Sequence, residues 1–148
     1  MSYRTARFGA IDFADSDVIT IRAGIVPFVA AKRFVILSDP EEWPFSWLQS
    51  LDDPALAFAV APIPLLFPEH GARLEAMRKR SSGGRANPDE TMWGIVVLDP
   101  DPARLTINLL APVFIDFETM EGEQKVFDGP VEYAREFIQP ALMAMEVA

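Results

Sequence analysis

Two apolar runs separated by a polar turn dominate the hydropathy pattern. Residues 45–48 and 56–60 are aromatic and aliphatic, the types strands prefer. Between them Asp52-Asp53-Pro54 is turn chemistry: aspartate caps nearby backbone, and proline fixes φ and removes a donor. The pattern predicts a β-hairpin with walls too apolar to face water. Upstream, residues 4–8 and 10–13 read as short strands turning at Gly9, and 18–21 as another strand. Residues 23–28 read as a turn or crossing segment, and 32–37 as a strand closed by Ser38-Asp39-Pro40.

Downstream, residues 68–80 predict a helix. Pro68 suits its first position, Glu69 its positive end, and Arg78, Lys79 and Arg80 its negative end. Leu74 and Met77, three apart, give it a narrow apolar stripe. A loop follows over 81–89, then strands over 93–98 and 104–110, the latter with Leu105, Ile107 and Leu109 on one face. Pro112 predicts an interruption before 113–117, and Gly122 a turn before 124–127. Residues 131–138 read as a short helix and the rest as a loosely held tail. About ten short strands separated by Gly, Pro and Asp turns indicate an antiparallel barrel or sandwich. Thirteen prolines suit that architecture, since proline tolerates edges and turns.

Composition narrows this further. A chain of 148 residues, 50% hydrophobic and 24% charged, reads as one globular domain over 1–148. Without cysteine there is no disulfide framework and no thiolate nucleophile. The absence of cysteine fits a reducing cytosol, and the start, Met1-Ser2-Tyr3-Arg4, lacks the apolar core of a signal peptide. The longest uncharged run, residues 54–68, is shorter than the roughly 20 apolar residues of a membrane span and is broken by prolines. Net charge is −9, yet residues 68–85 carry +3, leaving −12 on the remainder. Such a surface disfavours nucleic acid and anionic membrane and favours a partner with a basic face.

Candidate chemistry is sparse. His70, the single histidine, lies in the first turn of the predicted helix and reads as a solvated helix-start residue. The acids at Glu41-Glu42, Asp52-Asp53 and Asp99-Pro100-Asp101 read as loop caps: strand neighbours point to opposite faces, and no calcium-loop spacing is present. Ser82-Gly83-Gly84-Arg85 lacks the frame of a phosphate loop. Residues 78–85 could form a short RNA-binding arm, against the plainer reading of a helix end followed by a loop. Trp43, Trp47 and Trp93 read as core, with a ligand pocket as the other possibility.

The residues so assembled resemble the flagellar assembly factor FliW family. The likeness starts at Arg7-Phe8-Gly9 and runs through residues 24–28 and Lys32-Arg33-Phe34. It is sharpest at Pro44-Phe45-x-Trp47-Leu48-Gln49-Ser50-x-Asp52-Asp53-Pro54, followed by Ala57-Phe58. It resumes at Asn108-Leu109-Leu110-Ala111-Pro112, Gly122-x-Gln124 and Tyr133-x-x-Arg135, so it spans nearly the whole chain. Two departures stand out. Gly24-Ile25-Val26-Pro27-Phe28 replaces the family's usual Gly-Ile-Pro-Gly-Phe, and residues 68–89 are unusually basic.

The resemblance implies a mainly β protein, an antiparallel β-barrel of about ten short strands with one or two short helices. It further implies a cytoplasmic, non-enzymatic protein without cofactor or metal, which binds the translational repressor CsrA and, in many bacteria, flagellin. By occupying CsrA it would relieve repression of flagellin synthesis. Partner-binding candidates are the motif acids and amides able to project from strand ends: Gln49, Asp52, Asp53, Asn108 and Asp116. Gln49 and Asn108 could equally satisfy backbone groups inside the barrel. Replacing Asp52 and Asp53 together by lysine is expected to spare the fold and impair CsrA binding. The competing readings are a nucleic-acid-binding module using 78–85 and a barrel holding a small molecule between Trp47 and Trp93.

Overall fold

A computed structural model describes residues 1–81 and 89–147. The hairpin expected at the centre is present: β5 (Ser46–Ser50) pairs antiparallel with β6 (Ala57–Pro62), Trp47 opposite Ala59 and Leu48 opposite Phe58. Around it β3 (Ile19–Thr20), β4 (Arg33–Ser38), β7 (Thr91–Val97), β8 (Thr106–Asp116) and β9 (Glu121–Gln124) complete a closed barrel of 7 strands. All its pairings are antiparallel except the closing one, where Thr20 of β3 lies parallel to Glu121 of β9. Closure leaves the barrel strands no free edge. β1 (Ser2–Thr5) and β2 (Gly9–Asp12) form a separate hairpin, and β10 (Glu136–Phe137) adds to the first residues of β8. Thr5 Oγ1 accepts from the Phe8 amide, so the hairpin turns over residues 6–8 rather than at Gly9.

Alternation of side chains creates two cores. Leu48 and Val60 face the barrel interior with Phe34, Ile19, Val113 and Ile115. Ala59, Ala61, Met92, Val96 and Ile107 face outward and are covered by α1 (Ile63–Leu66), α2 (Pro68–Ser81) and α3 (Gln139–Val147). Helix α2 lies where its proline start and basic end predict, with Leu74 buried against this outer core and Met77 packed beside it. The expected tail is instead α3. Ile138, fully buried, anchors it, and Ala141, Leu142 and Met145 pack against the outer core.

Three further expectations shift. Pro112 does not interrupt a strand but sits within the 11-residue β8. Gly122 lies inside β9, and the turn before it occupies 117–120, with Met120 at φ 59°. Residues 131–138 form a 3-10 turn over Val131–Arg135 and then β10, not a helix.

The segment after β3 folds back as a tight turn, with the Phe28 amide donating to the Ile25 carbonyl at 2.6 Å around a cis Val26–Pro27 peptide. Gly24 makes the entry possible: its φ is +71°, and a Cβ there would lie 2.6 Å from the Val29 Cα. Gly24→Ala is therefore expected to cost about 2 kcal/mol, from left-handed strain plus a backbone collision. A denaturant titration reads this as a lower midpoint, and an unchanged midpoint would show that the turn yields freely.

Candidate functional site

The 51–56 connection is built almost wholly from the side chains of the sharpest motif. Ser50 Oγ accepts from the Asp52 and Asp53 amides at 3.0 and 2.9 Å. Asp53 Oδ1 accepts from the Ala55 amide at 2.9 Å. Gln49 is fully buried beneath the turn, and its Nε2 donates to the Ser50 and Leu56 carbonyls at 2.9 and 3.1 Å, with Pro54 O at 3.5 Å. From outside, the Ala6 amide of the β1–β2 hairpin donates to Pro54 O at 2.9 Å.

Asp52 ties the turn to the next strand. Its Oδ2 accepts from the Lys32 and Arg33 amides at 2.8 and 2.9 Å, and Oδ1 lies 3.0 Å from the Arg33 guanidinium. Burial alone would raise its pKa, but these donors outweigh it and hold the carboxyl below its ordinary value of 3.8. The Asp52/Asp53 pair thus serves two ends. Both are exposed, but Asp52 is the latch of the loop, so exchanging both for lysine is expected to damage the fold rather than spare it. A lysine in place of Asp52 would face Arg33 and leave two backbone amides without an acceptor.

The other motif amide repeats the logic. Asn108 Oδ1 accepts from the Leu110 and Ala111 amides at 2.9 and 3.2 Å, and the next residue, Pro112, has no N–H. Opposite this stretch β7 contributes only Gly94, since Trp93 pairs with Val113 but Ile95 with Asn108. The result is a bulge that reverses the facing of β8: Ile107 and Leu109 point to the outer core, Val113 and Ile115 into the barrel. Gly94 fits because a Cβ would meet Ile107 Cδ1 at 2.5 Å. At the far end of β8, Asp116 Oδ1 accepts from the Glu118 and Thr119 amides at 2.9 and 3.3 Å.

These five residues are not gathered into one patch. Asp116 reaches Asp52 only through the chain of pairings with Glu121, Thr20 and Arg33, and Asn108 stands apart opposite Ile95. Gln49, without exposed surface, offers nothing to a docking protein in this fold. Exposed apolar side chains stand in groups that the candidate list does not contain: Val26, Phe28 and Val29 on the turn after β3, and Trp43, Val97 and Leu98 beside β5 and β7. The three tryptophans do not form one core or pocket. Trp93 packs toward the barrel interior and donates to Thr91 Oγ1 at 2.8 Å, whereas Trp47 belongs to the outer side and opens on a different hollow.

Two of the basic side chains of α2 are ion-paired, Lys79 with Glu75 at 3.4 Å and Arg78 with two glutamates. Arg78 is nearly buried between Glu90 at 3.1 Å and Glu123 at 3.3 Å, its guanidinium 4.6 Å from the Phe114 ring centre. The first residue of the proposed basic arm is therefore held by carboxylates, while 82–88 lie outside the described residues. Among the described residues no group of three or more His, Asp or Glu could hold a metal ion, and no helix is long and apolar enough to cross a membrane.

His70 packs edge-on against Tyr133 with ring centres 4.3 Å apart. Burial first, then the Arg73 charge, holds it below its ordinary 6.5, against the pull of Glu136 and Glu69. The unfolded chain thus binds more protons than the folded one as pH falls below 6.5, so stability is complete above that value and is lost below it. Thermal denaturation across that range should show the decline, and His70→Gln should flatten it. Identical profiles would assign the decline to other groups.

The site taken as a whole defines a class: a small closed β-barrel whose motif side chains shape its loops, with no convergent set of reactive groups among the described residues. The comparisons specify the family. The FliW protein family profile matches residues 2–137. The chain is 34% identical over 126 residues to the flagellar assembly factor FliW of Bdellovibrio bacteriovorus, covering 85% of this chain and 72% of that protein. It is 32% identical over 146 residues to that of Heliobacterium modesticaldum, covering 99% and 95%. A crystal structure of the flagellar assembly factor FliW superposes with a TM-score of 0.77 at 25% identity, covering 93% of this chain and 96% of that one. The chain belongs to the FliW family of flagellar assembly factors.

Proposed function

We propose that this chain acts as a single, non-enzymatic domain in the cytoplasm, binding CsrA and flagellin and thereby relieving CsrA-mediated repression of flagellin synthesis. The observation that carries the reading is the family match over residues 2–137. The charge distribution supports it: with −12 outside residues 68–85, the surface suits a partner with a basic, RNA-binding face. Occupancy of CsrA combines with like-charge exclusion of RNA phosphates, a field that fades within about 8 Å at physiological salt. Asp53 is the partner contact among the motif acids. Asp52, Asn108 and Asp116 contribute what surface their capping roles leave, and Gln49 acts from beneath.

Calorimetric titration with purified CsrA and with flagellin tests the reading. The chain is expected to bind both, and Asp53→Lys to weaken CsrA binding roughly tenfold, more than the modest stability loss from removing its cap on the Ala55 amide would explain. Raising salt is expected to weaken RNA exclusion more than the affinity for CsrA. Absence of heat with either protein overturns the proposal. A gel shift with random RNA addresses the nucleic-acid reading, which requires retention of RNA by a chain of net −9.

A further inference from the structure

Among the described residues, none fills the slot beside Trp43. Trp43, Phe45, Trp47, Leu98 and Leu105 line a hollow of about 330 Å³ between the β4–β5 connection, β5 and the end of β7. This is the small end of the range of ligand cavities, about 300–1,000 Å³. Its walls are unusually wet for their chemistry, Trp43 being 62% exposed and Leu98 51%. A small molecule lodged there would leave much of both side chains uncovered, whereas a protein surface would cover them.

Charge selects the kind of surface. The two polar residues on the lining, Glu41 and Glu42, are both acidic, and no lining residue is basic. Asp39 precedes them, and Asp99 and Asp101 follow Leu98 in the chain. Cations near the slot are already engaged: the Arg7 guanidinium lies 4.4 Å from the Trp47 ring centre, and Arg104 stands 4.0 Å from Asp99. Glu42 also receives the Trp47 indole N–H at 3.4 Å, fixing the ring as a wall, while Glu41 has no ion-pair partner among the described residues. The larger hollow near Arg78, about 600 Å³, differs in this respect: it carries both signs of charge, with Arg22 paired to Glu121 and Arg78 to Glu90 and Glu123.

We infer that this slot is a docking site for a protein segment that inserts one large aliphatic side chain between Trp43 and Leu98 and sets a flanking arginine or lysine against Glu41 and Glu42. Tryptophan walls with a charged rim are the arrangement in which a single anchor contributes most of an interface's affinity. The inference rests on the proposed partner-binding role and names the surface that serves it.

The test uses neither CsrA nor flagellin, so it can fail while both still bind, and the reverse. The full chain, labelled with nitrogen-15, is titrated with a short peptide carrying a central leucine flanked by arginines, and the Trp43 and Trp47 indole signals are followed. Saturable shifts of both are expected. Affinity should fall about tenfold when the leucine is replaced by serine, when the arginines are replaced by glutamates, or when the chain carries Glu41→Lys with Glu42→Lys. Both glutamates are exposed, and the spectrum itself reports that the variant is folded. Unmoved indole signals, or equal affinity for the glutamate-flanked peptide or by the lysine variant, overturn the inference.

Discussion

Gln49→Ala is expected to lower the unfolding free energy by about 4 kcal/mol, the sum of an internal void and a buried backbone carbonyl stripped of its donor. Gln49 is fully buried, and its amide N–H₂ is the donor that the Ser50 and Leu56 carbonyls share at 2.9 and 3.1 Å. Once the side chain is gone the Ser50 carbonyl loses this donor where solvent is excluded, whereas the Leu56 carbonyl keeps the Ser50 amide at 2.9 Å. Gln49→Leu separates the two contributions. It restores the volume and removes the Oε1 atom, which has no hydrogen-bond partner among the described residues, but leaves the Ser50 carbonyl without its donor. Its cost should fall between zero and that of the alanine variant. Denaturant titration of the three proteins gives the order directly. Equal stability of the alanine variant and the parent chain would show that the turn is held by Ser50 and Asp52 alone. A weakened turn also frees Asp53, so any loss of partner affinity in these variants should track their loss of stability.

Legibility from sequence followed the range of the interactions concerned. Helix α2 was readable because its signals are local: Pro68 and Glu69 at one end, three basic residues at the other. The β5–β6 hairpin was readable for the same reason, its apolar walls meeting at Asp52-Asp53-Pro54. The parallel closure of β3 on β9 was not, since Thr20 and Glu121 meet only after the other strands are in place. Helix α3 was missed because Pro140 stands without an N-cap side chain before it and no acidic residue follows in its first turn. What holds it is Ile138, whose amide donates to Leu105 O and whose side chain is buried by packing remote in sequence.

The candidate site was legible as a list of residues and not as a division of labour. Polar side chains at strand ends can turn outward to a partner or inward to the backbone, and residue type alone does not distinguish them. Asp52 and Asp53 are adjacent, identical and both exposed, yet one latches Lys32 and Arg33 across to the neighbouring strand and the other caps only the Ala55 amide of its own turn. Trp43 illustrates the converse. Its size argued for burial, but the chain turns at Pro44 and leaves the ring outside.

Asn108→Ala carries the second largest expected effect, about 3 kcal/mol, because one atom serves two amides. In the folded chain Asn108 Oδ1 is the acceptor for both Leu110 and Ala111, at 2.9 and 3.2 Å. Alanine leaves both without a partner in a half-buried bulge where β7 cannot supply one, since Gly94 is the only residue opposite. Asn108→Asp keeps an acceptor at the same position and should retain most of the stability. Hydrogen exchange gives the local readout: the Leu110 and Ala111 amides should lose protection in the alanine variant and keep it in the aspartate variant. The bulge also sets which way every later residue of β8 faces. A variant that straightened it would turn Val113 and Ile115, both buried in the barrel, toward the outer core and present Phe114 to the interior in their place. Two distinct side-chain sets cannot fill both spaces, so the alternative register is excluded by packing, and the loss should appear as reduced stability of one structure rather than a switch to another. Loss of protection spreading through Val113 and Ile115 at unchanged global stability would contradict this.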